Sequence, residues 1–474
     1  MPLTVKEFTD LAAPYVVQLK KDKPNLLVSD VLDDEQHQYV NLVQKGGGVL
    51  GIALVGYTYV LEQMGIRFLR QAGTSAGAIN TALMVISGKD KTVAKSEEVI
   101  GILAEMDFFK FVDGPPVIKW LVKKFVKSKD FTKRATAFIR SMIIVFAVLF
   151  FGSGSFYLLQ HFFPYLSTVT DILFIGLGLV TFCMVALVIY VKGVLKNFRL
   201  NGLGMNPGDY FYDWVKQQFI ARNIHNATDL IKKASELPTL HLREGVIHPV
   251  GVASLTADVT FITADLVTQN KIEFPAMIDL FRLPADRDSI HPAGFVRASM
   301  SLPVFFESYY IAHIPNTDPL IQKNWEERLG QKQAPTISRF VDGGVLSNFP
   351  MSIFYNPAVR TPRLPSLGIN LDDSKPEDNA QSPTGWSFVG FIGRMFNTIR
   401  FYYDKDFLLK NKMFEKGVGT VPLSEFNWLN FFLSDQEKLA MFEAGAKAAR
   451  DFLMKFDWND YKHAREQYQD ELKK

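Results

Sequence analysis

Cysteine is almost missing from this 474-residue chain, in which Cys183 stands alone. A single thiol excludes an internal disulfide framework and a cysteine-built zinc site, and it suits a reducing compartment. Net charge is nearly missing too: 52 Lys and Arg against 49 Asp and Glu leave +3, so no overall field draws the chain to nucleic acid. Internal repeats and low-complexity segments are lacking, and the 48% apolar composition is ample for a core. The N-terminal stretch has early acidic residues and no long apolar run before a small-residue cleavage site, so no secretory signal is expected and the soluble part is expected inside the cell.

In two places charge is lacking altogether. Ser141 to Gln160 and Ile172 to Val191 carry no charged side chain, each for about 20 residues, the length that crosses ~30 Å of hydrocarbon as a helix. The alternative is a pair of buried core helices, although soluble helices of this length rarely lack a polar face. Lys119, Lys123, Lys124, Lys127, Lys129, Lys133, Arg134 and Arg140 precede the first run, and Lys192, Lys196 and Arg199 follow the second. Residues 161–171 between them have neither Lys nor Arg, so the positive-inside rule puts both flanks and the rest of the chain on the cytoplasmic side. An antiparallel hairpin brings the chain back near its point of departure, which lets a soluble domain continue across it. Gly152, Gly154, Gly176 and Gly178 read as small residues that let the two helices approach.

The soluble part opens with an α/β rhythm. Tyr39 to Gln44 reads as a strand, the glycine-rich stretch after it opens a helix that Gly65 ends, Ile66 to Ala72 reads as a second strand, and Ala76 to Ser87 as a second helix closed by Gly88. Strand, helix, strand, helix is the pattern of a parallel sheet. Later strands are expected at Pro249 to Leu255, Asp258 to Leu266, Arg339 to Val341 and Leu367 to Leu371. Helices are expected at Trp386 to Lys410 and Asp435 to Phe456, before a charged tail from Tyr461.

The chemistry is sought at Gly73-Thr74-Ser75-Ala76-Gly77, which has the form of a nucleophile elbow with Ser75 at the apex of a strand-to-helix turn. Chance is the other source of such a match, since Gly and Ser are common. Gly46-Gly47-Gly48-Val49-Leu50-Gly51 fits G-x-G-x-x-G, but a dinucleotide site needs an acidic residue about 20 positions on, where Phe68, Leu69, Arg70 and Gln71 stand. No Gly-Lys-Ser/Thr follows, which excludes a P-loop. The loop's amides can still face a developing oxyanion. A serine needs a base, and the histidines fit poorly: beyond His313 only His463 remains, in the charged tail. Asp342, at the end of a short apolar strand and before Gly343-Gly344, can take that role directly, the alternative being an ordinary Asp-Gly turn.

The glycine loop at 46–51, the Ser75 elbow, Val296 to Phe306 and Asp342-Gly343-Gly344, in this order, resemble the patatin-like phospholipases, from about Tyr39 to Pro350 and leaving out the apolar hairpin. The resemblance implies an α/β fold, a three-layer sandwich on a mainly parallel central sheet, here with a two-helix transmembrane hairpin inserted. It implies Ser75 as nucleophile, Asp342 as base and Gly46, Gly47, Gly48 and Ala76 as the oxyanion hole, with no metal or other cofactor. Leu50 stands where members often carry Arg or Lys, and Glu307-Ser308 where many carry a proline, so the pocket edge and headgroup preference are expected to differ.

The expected organisation is a catalytic domain over 1–135 and 201–372, a transmembrane hairpin over 136–200, and a helical C-terminal region over 373–474. The expected function is a membrane-anchored lipid acyl hydrolase, an integral membrane protein of two spans whose substrate is a membrane phospholipid or another acyl-ester lipid. A membrane-bound acyltransferase using the same dyad, or a non-catalytic membrane scaffold, are the alternatives. Oligomeric state is left open.

Overall fold

The computed structural model describes residues 3–116, 119–120, 123, 131–200, 202–248, 250–374, 398 and 407–471. By internal contacts the chain forms two units, one of residues 1–113 with 208–474 and one of residues 114–207.

The first unit is an α/β body around a ten-stranded sheet. Its strands are β1 (Val31–Asp33), β2 (Gln38–Gln44), β3 (Ile66–Thr74), β4 (Leu240–Leu242), β5 (Val259–Asp265), β6 (Asn270–Phe274), β7 (Tyr309–Ile311), β8 (Ser338–Asp342), β9 (Ser366–Asp372) and β10 (Val418–Pro422). The main order is β10-β9-β2-β3-β5-β8-β7, with β1 on β2, β4 on β1 and β6 on β5. The centre is parallel: β9 with β2, β2 with β3, and β3 with β5. The antiparallel β8 and β7 close one side. Such a centre is buried on both faces, and β2 is buried at every residue.

Side-chain alternation assigns the two covering layers. Gln44 turns to one face, where its amide donates to Thr81 Oγ1 at 2.9 Å and accepts from Asn80 at 2.6 Å, both on α3 (Ala76–Ile86). Val43 turns to the other, into a cluster with Ala72, Phe349, Met351, Phe354, Met413 and Phe414.

The α2 helix (Ile52–Gln63) is apolar all round and buried along nearly its whole length. It crosses the late helix α9 (Asp435–Lys455), whose Ser434–Glu437 capping box marks its start. The crossing is reciprocal: a Cβ on Gly56 would meet the Phe442 carbonyl, and a Cβ on Gly445 would meet the Ala53 carbonyl. Only glycine permits this backbone-to-backbone approach.

Several expectations need correction. Residues 250–254 form turns instead of the strand expected from 249 to 255: Gly251, at φ 55°, donates to the His248 carbonyl at 3.0 Å, a bend no strand accommodates. The charged tail lies in the helix α10 (Trp458–Glu471), as the helical C-terminal region leads one to expect; it buries Trp458, Tyr461, Arg465 and Gln469 and packs Ala464 and Tyr468 on the Val43 cluster. The final third also holds β10, whose Gly419 and Thr420 hide a strand pattern. The N-terminal stretch is an amphipathic helix, α1 (Val5–Asp22), opened by a Thr4–Glu7 capping box and burying Phe8, Ala12, Val16 and Leu19. Of the helix expected at 386–410, residues 386–397 and 399–406 lie outside the described residues.

The second unit contains α5 (Phe131–Leu159) and α6 (Ser167–Leu200), joined through a short 3-10 turn. By length and composition Arg140–Leu159, and Pro164–Tyr190 counting the 3-10 turn with α6, are long and apolar enough to cross a membrane. Their apolar side chains are exposed, Phe151 at 70% and Phe182 at 71%, and so do not form a buried core. The two helices meet through Tyr157 and Phe174, with ring centroids 6.2 Å apart, and through Leu149 against Gly176. A Cβ on Gly152, Gly154 or Gly178 would meet nothing within 4 Å, so of the four glycines only Gly176 lies at the helix contact. Lys123, Arg140, Lys192 and Lys196 are exposed and Lys119 is half-buried; Lys124, Lys127, Lys129 and the side chains of Lys133, Arg134 and Arg199 lie outside the described residues.

The α2–α9 crossing yields a test. Helix propensity alone predicts that Gly445→Ala stabilises by about 1 kcal/mol. The Ala53 carbonyl in the way reverses the sign, and Gly445→Ala is expected to destabilise by about 1–3 kcal/mol, read as a lower melting temperature by calorimetry. An unchanged or raised melting temperature would refute this crossing.

Candidate active site

The β3 strand ends at Thr74 and α3 begins at Ala76, so the whole change of direction falls on Ser75, at φ 53° and ψ −120°. A positive φ is costly for a side chain with a Cβ, on the order of 1–3 kcal/mol, and marks a position that its surroundings enforce. The small neighbours make the turn possible: a Cβ on Gly73 would strike the Gly77 backbone, and one on Gly77 would strike the Gln44 carbonyl. Thr74 is tied down by its hydroxyl, which donates to the Ser347 carbonyl at 3.0 Å. The Ser75 N–H donates to Ser299 Oγ at 3.0 Å, and that hydroxyl donates to the Ile262 carbonyl at 2.6 Å.

Strand register brings Asp342 to the same place. Thr74 pairs with Ile262 on one side of β5, and Asp342 pairs with Thr263 on the other. The last residues of β3 and β8 are therefore two inter-strand spacings apart, about 10 Å between backbones. Ser75 and Asp342 point from those ends, both buried at 2% exposure. Asp342 Oδ1 accepts from the Gly344 N–H at 2.7 Å, and the Asp342 N–H donates to the Ser301 carbonyl at 2.8 Å. Gly343 lies against the Ile262 carbonyl with no room for a Cβ, so the glycine after Asp342 is required by the close approach of β5.

The glycine loop packs on the elbow. A Cβ on Gly46 would run into the Asn348 side chain and the Ser75 Cβ, and a Cβ on Gly51 would lie 2.8 Å from the Ala76 Cβ. The Gly46 N–H donates to the Asn348 carbonyl at 3.0 Å, and Asn348 Nδ2 returns a hydrogen bond to the Gly46 carbonyl at 3.2 Å. Gly48, at φ 56°, turns its backbone against the Trp428 carbonyl, which accepts from Val49 N–H at 3.1 Å. Ala76 is the first residue of α3, where amides have no partner inside the helix.

Sequence reading missed the groups that hold this arrangement. Ser299 and Ser301 lie in the stretch singled out from Val296 to Phe306, but their roles as partners of the Ser75 and Asp342 backbones need the fold to be seen. Arg297, on the helix α8 (Ala293–Ser299), is 4% exposed; it donates to the carbonyls of Gly208 at 3.2 Å and Glu307 at 2.8 Å and to the Ser301 hydroxyl. Burial pushes its pKa down to about 10, against the pull of Asp113, Asp209 and Glu307. His463 is 77% exposed beside Glu466, on a helix remote in sequence from the elbow. Among the described residues no three His, Cys, Asp or Glu side chains group as metal ligands.

Beside Ser75 lies an apolar cleft. Its walls are Ile52 and Val55 of α2, Ile79 and Leu83 of α3, Leu103 and Met106 at the end of the helix α4 (Ser96–Glu105), then Phe108, Phe111, Phe211, Trp214, Phe306 and Phe431. An apolar lining of this kind suits a hydrocarbon chain.

A family model described as Patatin-like phospholipase matches residues 42–355. The uncharacterized protein YqhO of Bacillus subtilis (strain 168) is 24% identical over 423 residues, covering 89% of this chain and 100% of its own length. Among solved structures, VipD from Legionella pneumophila is similar at 12% identity over 90% of this chain and 70% of that one, with a TM-score of 0.33, too low to carry an argument. The matched span of the family model takes in the glycine loop, the Ser75 elbow and Asp342, and exceeds half of the chain. The chain belongs to the patatin-like phospholipases, a family of lipid acyl hydrolases.

Proposed function

We propose that this chain is a membrane-anchored hydrolase of acyl-ester lipids, phospholipids above all, working through a Ser75–Asp342 dyad on the cytoplasmic face of its membrane. The observation that carries the reading is that register sets an elbow serine and a strand-end aspartate at the same level on either side of β5, with an apolar cleft beside the serine. In this mechanism Asp342 takes the Ser75 hydroxyl proton as Oγ attacks the ester carbonyl carbon. The oxyanion is held by the amides of Gly47, Gly48 and Ala76; the Gly46 amide, engaged by Asn348, shapes the loop instead. Collapse breaks the ester bond, and Asp342 returns the proton to the leaving alkoxide. Water, deprotonated by Asp342, then frees the fatty acid and regenerates Ser75.

The anchor in this reading is α5 with α6, as an insertion in a single catalytic domain that resumes after it and is followed by the helical C-terminal region. One detail supports the insertion. The carboxylate of Asp113, the last residue before the second unit, accepts from the amides of Gly208 at 3.0 Å and Tyr210 at 3.1 Å, the first residues after it. The two cut ends of the catalytic body are thus joined by hydrogen bonds. They also cap α7 (Asp209–Ile220) at its N-terminus.

Ser75→Ala should fold normally and lose ester cleavage by on the order of 10⁴-fold or more, together with fluorophosphonate labelling. Asp342→Asn should cost about as much, because members of one catalytic unit do not contribute additively, while His463→Ala should cost little. Wild-type cleavage by Ser75→Ala would end the hydrolase assignment at this site. Full activity in Asp342→Asn together with its loss in His463→Ala would replace the dyad by a triad. Acyl transfer to an added alcohol in preference to water, seen by product analysis, would favour the acyltransferase.

Ser299 acts here as a positioning residue, through the Ser75 amide and the Ile262 carbonyl. Ser299→Ala should lower kcat by about tenfold to a hundredfold with KM little changed, and Ser299→Thr should restore most of it. A loss confined to KM, or no rescue by threonine, would leave Ser299 a packing residue.

Replacing residues 114–207 with a short Gly-Ser bridge tests the insertion. The Asp113 contacts leave little to span, so the shortened chain should be soluble, react with a fluorophosphonate at Ser75 and cleave a dispersed short-chain ester. Turnover of bilayer lipid should fall steeply because surface concentration is lost. A shortened chain that misfolds with every bridge tried would make the segment part of the folding core.

A further inference from the structure

On the sheet face away from α3 lies a second cavity, of about 260 Å³, far above the ~10–15 Å³ that one water needs. Three guanidinium groups border it: Arg70 of β3, Arg363 just before β9, and Arg465 of α10. Arg465 is 7% exposed, stacked at 3.9 Å over the Tyr355 ring, with Nη2 donating to the carbonyls of Asn356 at 2.6 Å and Val359 at 3.3 Å. Arg70 is stacked at 4.8 Å over the Phe354 ring, and its Nε donates to Asn41 Oδ1 at 3.1 Å. Arg363 donates to the Gly251 carbonyl and, at 3.0 Å, to the Ser254 hydroxyl.

Neutral partners and aromatic faces thus fix all three side chains, and none of the three forms an ion pair with a described residue. The terminal nitrogens of Arg70 make no hydrogen bond to any described residue either. The carboxylate that acts on Arg70, Asp258, does so from beyond ion-pair distance. Other carboxylates on the surrounding elements are engaged elsewhere: Asp30 with Lys462, Asp470 with Arg360, and Glu466 with the Thr361 hydroxyl and His463. Held cations that gather round one cavity, short of counter-charge among the described residues, describe a receptor for an anion.

We infer that this cavity is a binding site for the phosphate group of a small molecule, separate from the Ser75 cleft. Charge favours phosphate over a carboxylate: among the described residues three guanidiniums against one distant Asp258 leave about two positive charges, which match the ~1.5–2 negative charges of a phosphate monoester at neutral pH. Geometry favours it as well, since the planar guanidinium fork presents paired donors to phosphate oxygens and the aromatic stacks hold those planes in advance of binding. Arg70 lies on the strand that ends at the elbow, five residues before Ser75, about 16 Å along β3. The assignment does not depend on the hydrolase reading, because it concerns the opposite face and is measured without turnover.

The test is isothermal titration of the full chain carrying Ser75→Ala, in a maltoside detergent free of phosphate. Inorganic phosphate, glycerol 3-phosphate and sodium chloride of matched ionic strength are the titrants. Saturable phosphate binding with Kd below about 1 mM is expected, and none with chloride. Equal affinity for phosphate and glycerol 3-phosphate assigns a site for the free phosphate group; affinity at least about tenfold tighter for glycerol 3-phosphate assigns a lipid-type headgroup. Arg70→Met keeps the packing on Phe354 and should weaken phosphate binding at least about tenfold, without lowering the melting temperature of the ligand-free protein. Arg363→Met, at a second side of the cavity, should weaken it likewise, and it decides the matter should Arg70→Met fail to fold. No saturable binding of either phosphate compound, or unchanged affinity in the folded arginine variants, would overturn the site.

Discussion

The whole arrangement depends on one backbone turn. Ser75 stands at φ 53° between a strand and a helix, and the chain on its own would relax out of that conformation. It is held from two directions. The parallel ladders of β3 with β2 and β5 run up to Gly73 and Thr74, so the turn cannot be taken earlier. The amides of α3 bond back to the elbow, Ile79 N–H to the Ser75 carbonyl at 3.1 Å, so it cannot be taken later. The glycines at 73 and 77 follow from this constraint, because a compressed turn brings its own limbs into contact. The glycine loop and the stretch after Asp342 then close on the elbow through Asn348 and Ser347, which joins segments some 300 residues apart in one small volume.

What was legible in the sequence is what local chemistry dictates. The early strands and helices were readable because Gly65 and Gly88 punctuate them, and both stand at positive φ, where other residues are strained. The G-x-S-x-G elbow and the Asp-Gly-Gly turn were readable because close approach leaves few residue types to choose from. Gly251 misled: the apolar residues around it read as strand, while its backbone turns. The packing of the tail was hidden for the opposite reason. Residues Tyr461, Arg465 and Tyr468 form a helical stripe, but with one cation and two phenols it reads as surface until Phe414, Met413 and Tyr355 are seen to receive it. Tertiary packing overrides hydropathy there.

The same limit explains why Ser299 and the arginine cavity were invisible. Their meaning lies in register, not in spacing. Alternation along β3 turns Arg70 and Ala72 to the face covered by α10, while the strand's end presents Ser75 above α3. One strand thus carries a charged, aromatic-lined surface on one face and the elbow serine at its end, and a linear motif can report only the serine.

The walls of the apolar cleft carry a further consequence of chain order. Met106, Phe108 and Phe111 are among the last residues before the chain leaves the catalytic body at Asp113, and Phe211 and Trp214 are among the first after it returns at Gly208. The segments that bound the cleft on this side are therefore those next in sequence to the break between the two parts of the first unit. The Asp113 contacts to Gly208 and Tyr210 hold the outgoing and returning limbs of the first unit together. Phe111 packs against Phe211 and Trp214, ring centroids 5.3 and 5.5 Å apart, so the outgoing and returning limbs form one aromatic wall. One wall of the cleft is thus built from two limbs far apart in sequence, and the register that Asp113 imposes on Gly208 and Tyr210 is what lets their rings close on each other.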